Sequence, residues 1–352
     1  VSGGIEAAIR AARCYIENMD SGKLFVKIDF RNAFNTVRRD AILEAVTKHL
    51  PKLLPFAAST LSTPSVLQFA DFTLSSEEGA QQGDPLGPLY FCITIIELLK
   101  AMKSELVLAY LDGVALGDDA DSVLKDFLML EAAALRIGLE INRDKCEVIG
   151  HTDITRSLFA ANNVELREIS SSSVVLLGAP LSAGSKLDSM LEEKRKDLLL
   201  LSKRLQFMPA HDSLFLLRNI LAAPRLMHLL RSTLCVDSPV LPMYDTVLRE
   251  SLSATLNVDL DDARWSQASL PVRWGGLGVR SVVLLAPSAY LASAASTKEL
   301  TSALLPVRLQ VVKDSGIDAA LANWTCQATN PLEVPTKPVI PYMPSSIAQL
   351  VW

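Results

Sequence analysis

The sequence predicts an α+β fold, a small sheet backed by helices and followed by a helical module. Three observations predict it. Residues 23–30, KLFVKIDF, alternate Leu24, Val26, Ile28 and Phe30 with Lys23, Phe25, Lys27 and Asp29, the two-residue period of a strand. In LVLAYLDGVALG, residues 106–117, two apolar runs flank Asp112-Gly113, a strong signal for a hairpin turning at those two residues. After Pro180 the chain changes character, and residues 186–231 are leucine-rich at helical spacing.

The elements follow in order. Ile5, Ile9, Ala12 and Ile16 share a face of a helix over 5–17. After the strand at 23–30, Asp40 is positioned as the N-cap of a helix reaching Leu50, where Pro51 and Pro55 interrupt the pattern. Residues 64–75 have β character. The Gly/Pro-rich loop GAQQGDPLGP (79–88) leads into an apolar run suited to a buried helix. Val123, Phe127, Leu130 and Ala134 line one face of a helix over 120–137, which Gly138 stops. LEIN and CEVIG form a strand pair joined through Arg143-Asp144-Lys145, and SVVLLGAPL (173–181) forms a further strand. Residues 240–352 are mainly helical, with an irregular, proline-punctuated stretch from Pro331 to Pro344.

Composition narrows the function classes. The chain has 352 residues, 49% of them apolar, 21% charged and 6% aromatic, which excludes intrinsic disorder and makes the core aliphatic. Its net charge is −5, but residues 186–231 carry nine Lys or Arg against five Asp or Glu. A basic helical module thus follows a more acidic α/β region, and any grip on a phosphate backbone is local to that module. The five cysteines are dispersed, which fits reduced thiols in an intracellular protein of the cytoplasm or nucleus and not a secreted disulfide scaffold. No apolar run spans a bilayer and no signal peptide is visible, so no membrane partner is expected. Val1 in place of Met, and the apolar phrase running up to Trp352, lead to the expectation of a fragment cut at both ends.

The chemistry concentrates in four places. Asp29 closes a strand on its polar face, Asp112 tops a hairpin 83 residues later, and the loop Gln81-Gln82-Gly83-Asp84-Pro85 lies between them. Two strand-end carboxylates brought together form a hard oxygen site suited to Mg²⁺. A pair of such ions clamps the attacking and leaving oxygens of a phosphoryl transfer. Lys145 is placed to neutralise or protonate a departing pyrophosphate.

These pieces and their order resemble the reverse transcriptases of non-LTR, LINE-like retrotransposons. FVKIDFRNAFNTVRRD (25–40) is similar to that family's motif A, GAQQGDPLGPLYF (79–91) to motif B and AYLDGVALG (109–117) to motif C. GLEINRDKCEV (138–148) is similar to motif D and LLGAPL (176–181) to motif E, while PVRWGGLGVRS (271–281) echoes a phrase found after the thumb. The resemblance implies a right-hand polymerase: residues 1–22 a remnant of the fingers, 23–182 a palm of antiparallel sheet and helices, 183–260 a helical thumb, and 261–352 a helical C-terminal extension. It implies an RNA-directed DNA polymerase that takes an RNA template, a DNA primer and dNTPs, and uses two Mg²⁺ ions, with Mn²⁺ as an alternative. Asp29 and Asp112 are then the catalytic metal ligands, with the Phe30 carbonyl a further ligand. Phe34, Gln82, Gly83 and Lys145 serve the incoming nucleotide, and Tyr110, Leu177 and Gly178 the primer end. Phe34 is equally readable as a core residue, and Gly83 as part of an ordinary tight turn.

One position departs from the family. Motif C ordinarily has two adjacent aspartates, and here the text is Tyr110-Leu111-Asp112-Gly113. Asp118 and Asp119 form a pair farther along but lack the tyrosine, and they read as solvated loop charges. The expectation is an intact fold with impaired polymerisation, and the alternative is a catalytically dead nucleic-acid-binding relic. Oligomeric state is not legible in the sequence.

Overall fold

The computed structural model describes residues 2–81, 83–312 and 314–327, which form two compact units. Residues 15–169, with 304–306, make one; residues 2–14, 170–303 and 307–327 make the other. Residues 170–182, expected with the palm, therefore cluster with the helical residues that follow them. The first helix, α1 (Gly4–Asn18), precedes the sheet.

In the unit built on 15–169, β1 (Lys23–Asp29) is the central strand. It is followed by α2 (Ala33–Thr36), α3 (Arg39–His49) and α4 (Leu54–Leu61). The hairpin β2 (Ser65–Phe69) and β3 (Phe72–Ser76) precedes α5 (Gly87–Ala101). Next come β4 (Leu106–Tyr110), β5 (Gly113–Asp119), α6 (Ala120–Arg136), β6 (Glu147–Ile149), α7 (Asp153–Ala161) and β7 (Arg167–Glu168). The sheet order is β4-β5-β1-β6-β7, antiparallel except for the β6–β7 pair. Leu24, Phe25, Val26 and Ile28 are all buried, because β1 is covered on both faces. On one face Val26 and Ile28 join Tyr90, Phe91, Leu116 and Phe127 in the core. On the other, Tyr15 packs on Phe25 across the space left by Gly117, where a Cβ would lie 2.6 Å from the tyrosine ring.

Several local expectations change. Asp40 is not the N-cap of α3: Arg38 holds that position, and Asp40 sits in the first turn with its carboxylate accepting from the Ala41 N–H at 2.8 Å. LEIN and CEVIG do not pair with each other. Both pair with the first strand and its extension, β6 along β1 and Ile141 in a single bridge to Phe30. Asp118 and Asp119 are not loop charges. Asp118 accepts from the Glu105 N–H at 3.0 Å and lies 3.6 Å from Lys23, while Asp119 caps α6 through the Ser122 N–H.

The other unit is mostly helical. The strand expected over 173–181 is two short strands, β8 (Val175–Leu176) and β9 (Ala179–Pro180), folded at Leu177-Gly178. Both turn residues have positive φ, 49° and 80°, the geometry that reverses a chain within two residues. Helices α8 (Ser185–Leu205), α9 (Ala210–Leu216) and α10 (Ala223–Ser232) follow, with a π-helical turn at Leu217–Leu221 between the last two. Then come α11 (Val240–Leu256), α12 (Asp262–Ser269), α13 (Val282–Leu304) and α14 (Ser315–Gln327). A buried cation cluster ties this unit together. Arg10 donates to Asp314 at 2.8 Å and lies 4.2 Å over the ring of Tyr290. Arg13 donates to the Tyr290 hydroxyl at 2.9 Å and to the Ser232 carbonyl. The stretch Pro331–Pro344 lies outside the described residues. No helix among the described residues is long and apolar enough to cross a membrane, and all five cysteines are free.

Candidate active site

Asp29 is the last residue of β1, and its cross-strand partner on β5 is Gly113. Its main chain is fixed from the other side, where the Asn142 N–H donates to the Asp29 carbonyl at 2.7 Å. Beside it, the Phe30–Ile141 bridge is closed by the flanking Asn142 and Arg31 N–H groups, so this bridge does not consume the Phe30 carbonyl. The Asp29 carboxylate is about one-third exposed and lies 3.7 Å from the Lys145 ammonium, which is itself mostly exposed.

The hairpin that delivers Asp112 turns one residue earlier than the Asp-Gly signal implied. Tyr110 pairs with Gly113, leaving Leu111 and Asp112 as the two turn residues. Leu111 adopts φ 53°, left-handed backbone that costs a leucine roughly 1–2 kcal/mol. Strained residues of this kind concentrate at functional sites. Asp112 is partly buried and immediately precedes the residue opposite Asp29. Tyr110, the last residue of β4, is exposed at the same end of the hairpin. Gly113 itself has no positive φ and lies in ordinary strand backbone, so the position does not require glycine. Asp118 and Asp119 pair with Leu24 and Lys23, at the far end of β1 from Asp29, and do not join this site.

Two loops frame it. The 3₁₀ turn carrying Lys145 (Arg143–Lys145) is anchored to α6 by a bidentate Arg143–Glu131 pair at 2.7 and 2.8 Å. Next to it, burial and the charge of Asp29 push the Cys146 thiol up to about 11, so it stays protonated and inert at neutral pH. The other loop begins at Gly79, whose N–H donates to the Val37 carbonyl, while the Ala80 N–H donates to the Phe34 carbonyl, both at 2.9 Å. A Cβ on Gly79 would lie 2.5 Å from the Phe34 and Asn35 backbone, and its φ is 68°, so only glycine fits. Phe34 is partly buried, its ring 4.8 Å from that of Phe91, so one face serves the core. Gly83 has φ 92° and open space around a notional Cβ, so it is needed for its backbone and not for closeness. Gln82 lies outside the described residues.

Two residues that hold this frame are invisible to motif reading. Arg39 is buried and donates to the carbonyls of Gly79 (3.1 Å) and Thr63 (3.3 Å) and to the Ser76 hydroxyl (3.1 Å), tying the loop to α3. Asp126, buried within α6, accepts from the Lys103 and Ser104 N–H groups at 2.8 and 2.7 Å and so fixes the entry to β4. An arginine at a helix start and an aspartate within a helix both read as surface residues in sequence.

Leu177 and Gly178 occupy the β8–β9 turn, where the Leu177 carbonyl lies 3.0 Å from His228 Nε2. They belong to the helical unit, whereas the aspartates belong to the sheet unit. The oxygen donors of Asp29, Asp112 and the Phe30 carbonyl suit a hard divalent cation. Gly113 supplies no donor opposite Asp29, so the set is one carboxylate short of three.

The profile of the family Reverse transcriptase (RNA-dependent DNA polymerase) matches residues 4–181. The chain is 27% identical over 304 residues to the Retrotransposable element SLACS 132 kDa protein of Trypanosoma brucei gambiense, covering 82% of this chain and 25% of that protein. It is 24% identical over 333 residues to the Retrovirus-related Pol polyprotein from type-2 retrotransposable element R2DM of Drosophila melanogaster, covering 86% of this chain and 30% of that one. The chain thus spans between a quarter and a third of the length of these relatives. Among solved structures, telomerase from Candida albicans, in complex with a fragment of telomeric RNA, aligns over 93% of this chain and 50% of its own, at 10% identity and a TM-score of 0.39. The chain belongs to the reverse transcriptase family, and its matched region is a domain of the kind found in non-LTR retrotransposons.

Proposed function

We propose that this chain carries the palm and thumb of an RNA-directed DNA polymerase whose catalytic step is impaired at motif C. The observation that carries the reading is that Asp29 faces Gly113 across paired strands, with Asp112 in the adjoining turn and Lys145 beside Asp29. In this reading Asp29, Asp112 and the Phe30 carbonyl hold the divalent ions. When bound, such ions stabilise the attacking and departing oxygens of nucleotidyl transfer.

The remaining roles belong to side chains. The primer 3′-hydroxyl attacks the α-phosphate of the dNTP, and pyrophosphate leaves. Lys145, exposed and cationic, offsets charge on the leaving pyrophosphate or gives it a proton. The β4–β5 turn fixes Asp112, and the Arg39-anchored loop fixes Phe34 and the segment from Gly79 onward, so the site is held in place before substrate arrives. Phe34 borders the position of the sugar, where a ring resists a ribose 2′-hydroxyl. Tyr110, Leu177 and Gly178 support the primer end. With Gly113 in place of a carboxylate, a pair of dications has one negative charge fewer to hold it, and Mg²⁺ tolerates poor geometry badly.

Primer extension on an RNA template tests the reading, comparing the native chain with Asp29→Ala and Gly113→Asp. We expect weak or no extension by the native chain, none by Asp29→Ala, and a clear gain in Gly113→Asp. A Gly113→Asp protein that binds primer–template yet extends no better than native would favour the nucleic-acid-binding relic.

A further inference from the structure

The phrase PVRWGGLGVRS folds into a feature that polymerase chemistry does not use. Its glycines let it double back tightly on the end of α12. The Gly278 N–H donates to the Leu270 carbonyl at 2.8 Å, and the Leu277 N–H to the Ala268 carbonyl at 2.9 Å. A Cβ on Gly276 would lie 2.0 Å from the Leu270 carbonyl oxygen, so glycine is required there. The folded loop and the π-helical turn before α10 together enclose a cavity of about 560 Å³, within the helical unit. That volume is in the range of small-ligand sites.

The lining of this cavity has two characters. Arg218, from the π-helical turn, and Arg280, from the loop, both line it, and none of the lining residues is a carboxylate. Gly278 allows this approach, because a Cβ there would lie 2.9 Å from the Arg218 side chain. Burial and the nearby charge of Arg273 hold Arg280 below the usual arginine range, a penalty that a bound anion would relieve. Apart from Asn219, the rest of the wall is apolar, and it includes Pro224, Met227 and Val272. The π-helical turn is a rare element that recurs at functional sites.

We propose that this cavity takes one unpaired nucleotide of a single-stranded nucleic acid, with the phosphate against Arg218 and Arg280 and the base against Pro224, Met227 and Val272. A phosphate alone would need only the arginines, and an apolar peptide would need neither of them. A nucleotide uses the cationic side and the apolar side together. Single-strand sites combine these two features, a cationic track with surfaces that bases cover. The proposal rests on the reading that the chain handles a nucleic-acid strand, but it does not depend on catalysis.

The test uses the full chain without divalent metal. Anisotropy of fluorescein-labelled single-stranded RNA and DNA octanucleotides is compared with that of a blunt duplex of equal length. Arg218→Ala and Met227→Trp, which removes the cation or fills the cavity, are each expected to weaken single-strand binding about tenfold and to leave duplex binding within about twofold. Thermal melting checks that both variants are folded. An RNA octanucleotide carrying 4-thiouridine should crosslink to peptides containing Met227 or Val272. If folded variants bind the single strands like native, or lose single strand and duplex equally, the pocket is not a nucleotide site. Native-like binding by both variants alongside normal primer–template affinity would overturn this proposal and leave the polymerase reading standing. A stronger effect on RNA than on DNA, or the reverse, identifies which strand occupies the site.

Discussion

Asp29 and Gly113 stand directly opposite each other on β1 and β5, so a side chain at 113 would share the face of the Asp29 carboxylate. Cβ atoms of such a pair lie about 4.5–5.5 Å apart. Gly113→Asp therefore restores a carboxylate across from Asp29 without altering the turn, whereas inserting a residue after Asp112 would change the hairpin register. We expect Gly113→Asp to raise primer extension at least tenfold and to lower the Mg²⁺ concentration needed for half-maximal rate. A metal titration of extension rate checks both.

Lys145 lies 3.7 Å from Asp29 with most of its side chain in solvent, so the contact adds little to stability. Its value is expected to be catalytic. In the Gly113→Asp background, Lys145→Ala should cut the single-turnover rate roughly a hundredfold, the low end of general-acid contributions, with primer–template affinity unchanged. Equal losses in rate and affinity would assign Lys145 to binding.

Gly79 combines a positive φ with backbone 2.5 Å from where a Cβ would stand. Gly79→Ala should destabilise the sheet unit by about 2–3 kcal/mol, through strain and displacement of the loop from α2. Urea unfolding checks this. Gly83→Ala should cost about 1 kcal/mol, because that position is strained in backbone but open in space.

Asp245 caps α13, accepting from the Val282 N–H at 2.8 Å and from the Ser281 hydroxyl at 2.5 Å. Burial pushes its carboxyl up to about 6 from an ordinary value near 3.8, outweighing these hydrogen bonds. The folded state therefore holds this proton more tightly than the unfolded state, and stability falls as pH rises from about 4 to about 6. The contribution is fully present below pH 4 and lost above pH 6. Relative to Asp245→Asn, the native protein should show a steeper decline over that window in denaturation curves collected at successive pH values.

The strand carrying Asp29 was legible because its two-residue alternation survives in a strand buried on both faces: Phe25 is inside too, yet Lys27 and Asp29 still mark the polar row. The α6 face of Val123, Phe127, Leu130 and Ala134 was legible for the same reason at helical period. The hairpin tip was not. Asp-Gly favours turning at 112–113, but Gly113 is drawn into β5, where it pairs with Tyr110 on one side and Asp29 on the other. That pairing on both edges of β5 outweighs the turn preference, and the left-handed turn position falls on Leu111 instead. The β8–β9 turn was missed because SVVLLGAPL reads as a continuous apolar run, with only Leu177-Gly178 to mark a reversal. Arg39 and Asp126 were missed because their worth lies in backbone groups of distant segments, 40 residues away at Gly79 and 22 at Ser104.

Arg10 and Asp314 are separated by 304 residues along the chain. A ribosome releases Arg10 and Arg13 long before it makes Tyr290 or Asp314, the groups that neutralise and cover them. Residues 15–169, by contrast, supply almost all of their own unit as one continuous stretch. Synthesis therefore imposes an order: the sheet unit can close while the helical unit still waits for its last helix, and for that interval the first helix carries two arginines with nowhere to be buried. Truncation ahead of residue 314 would make that waiting state permanent.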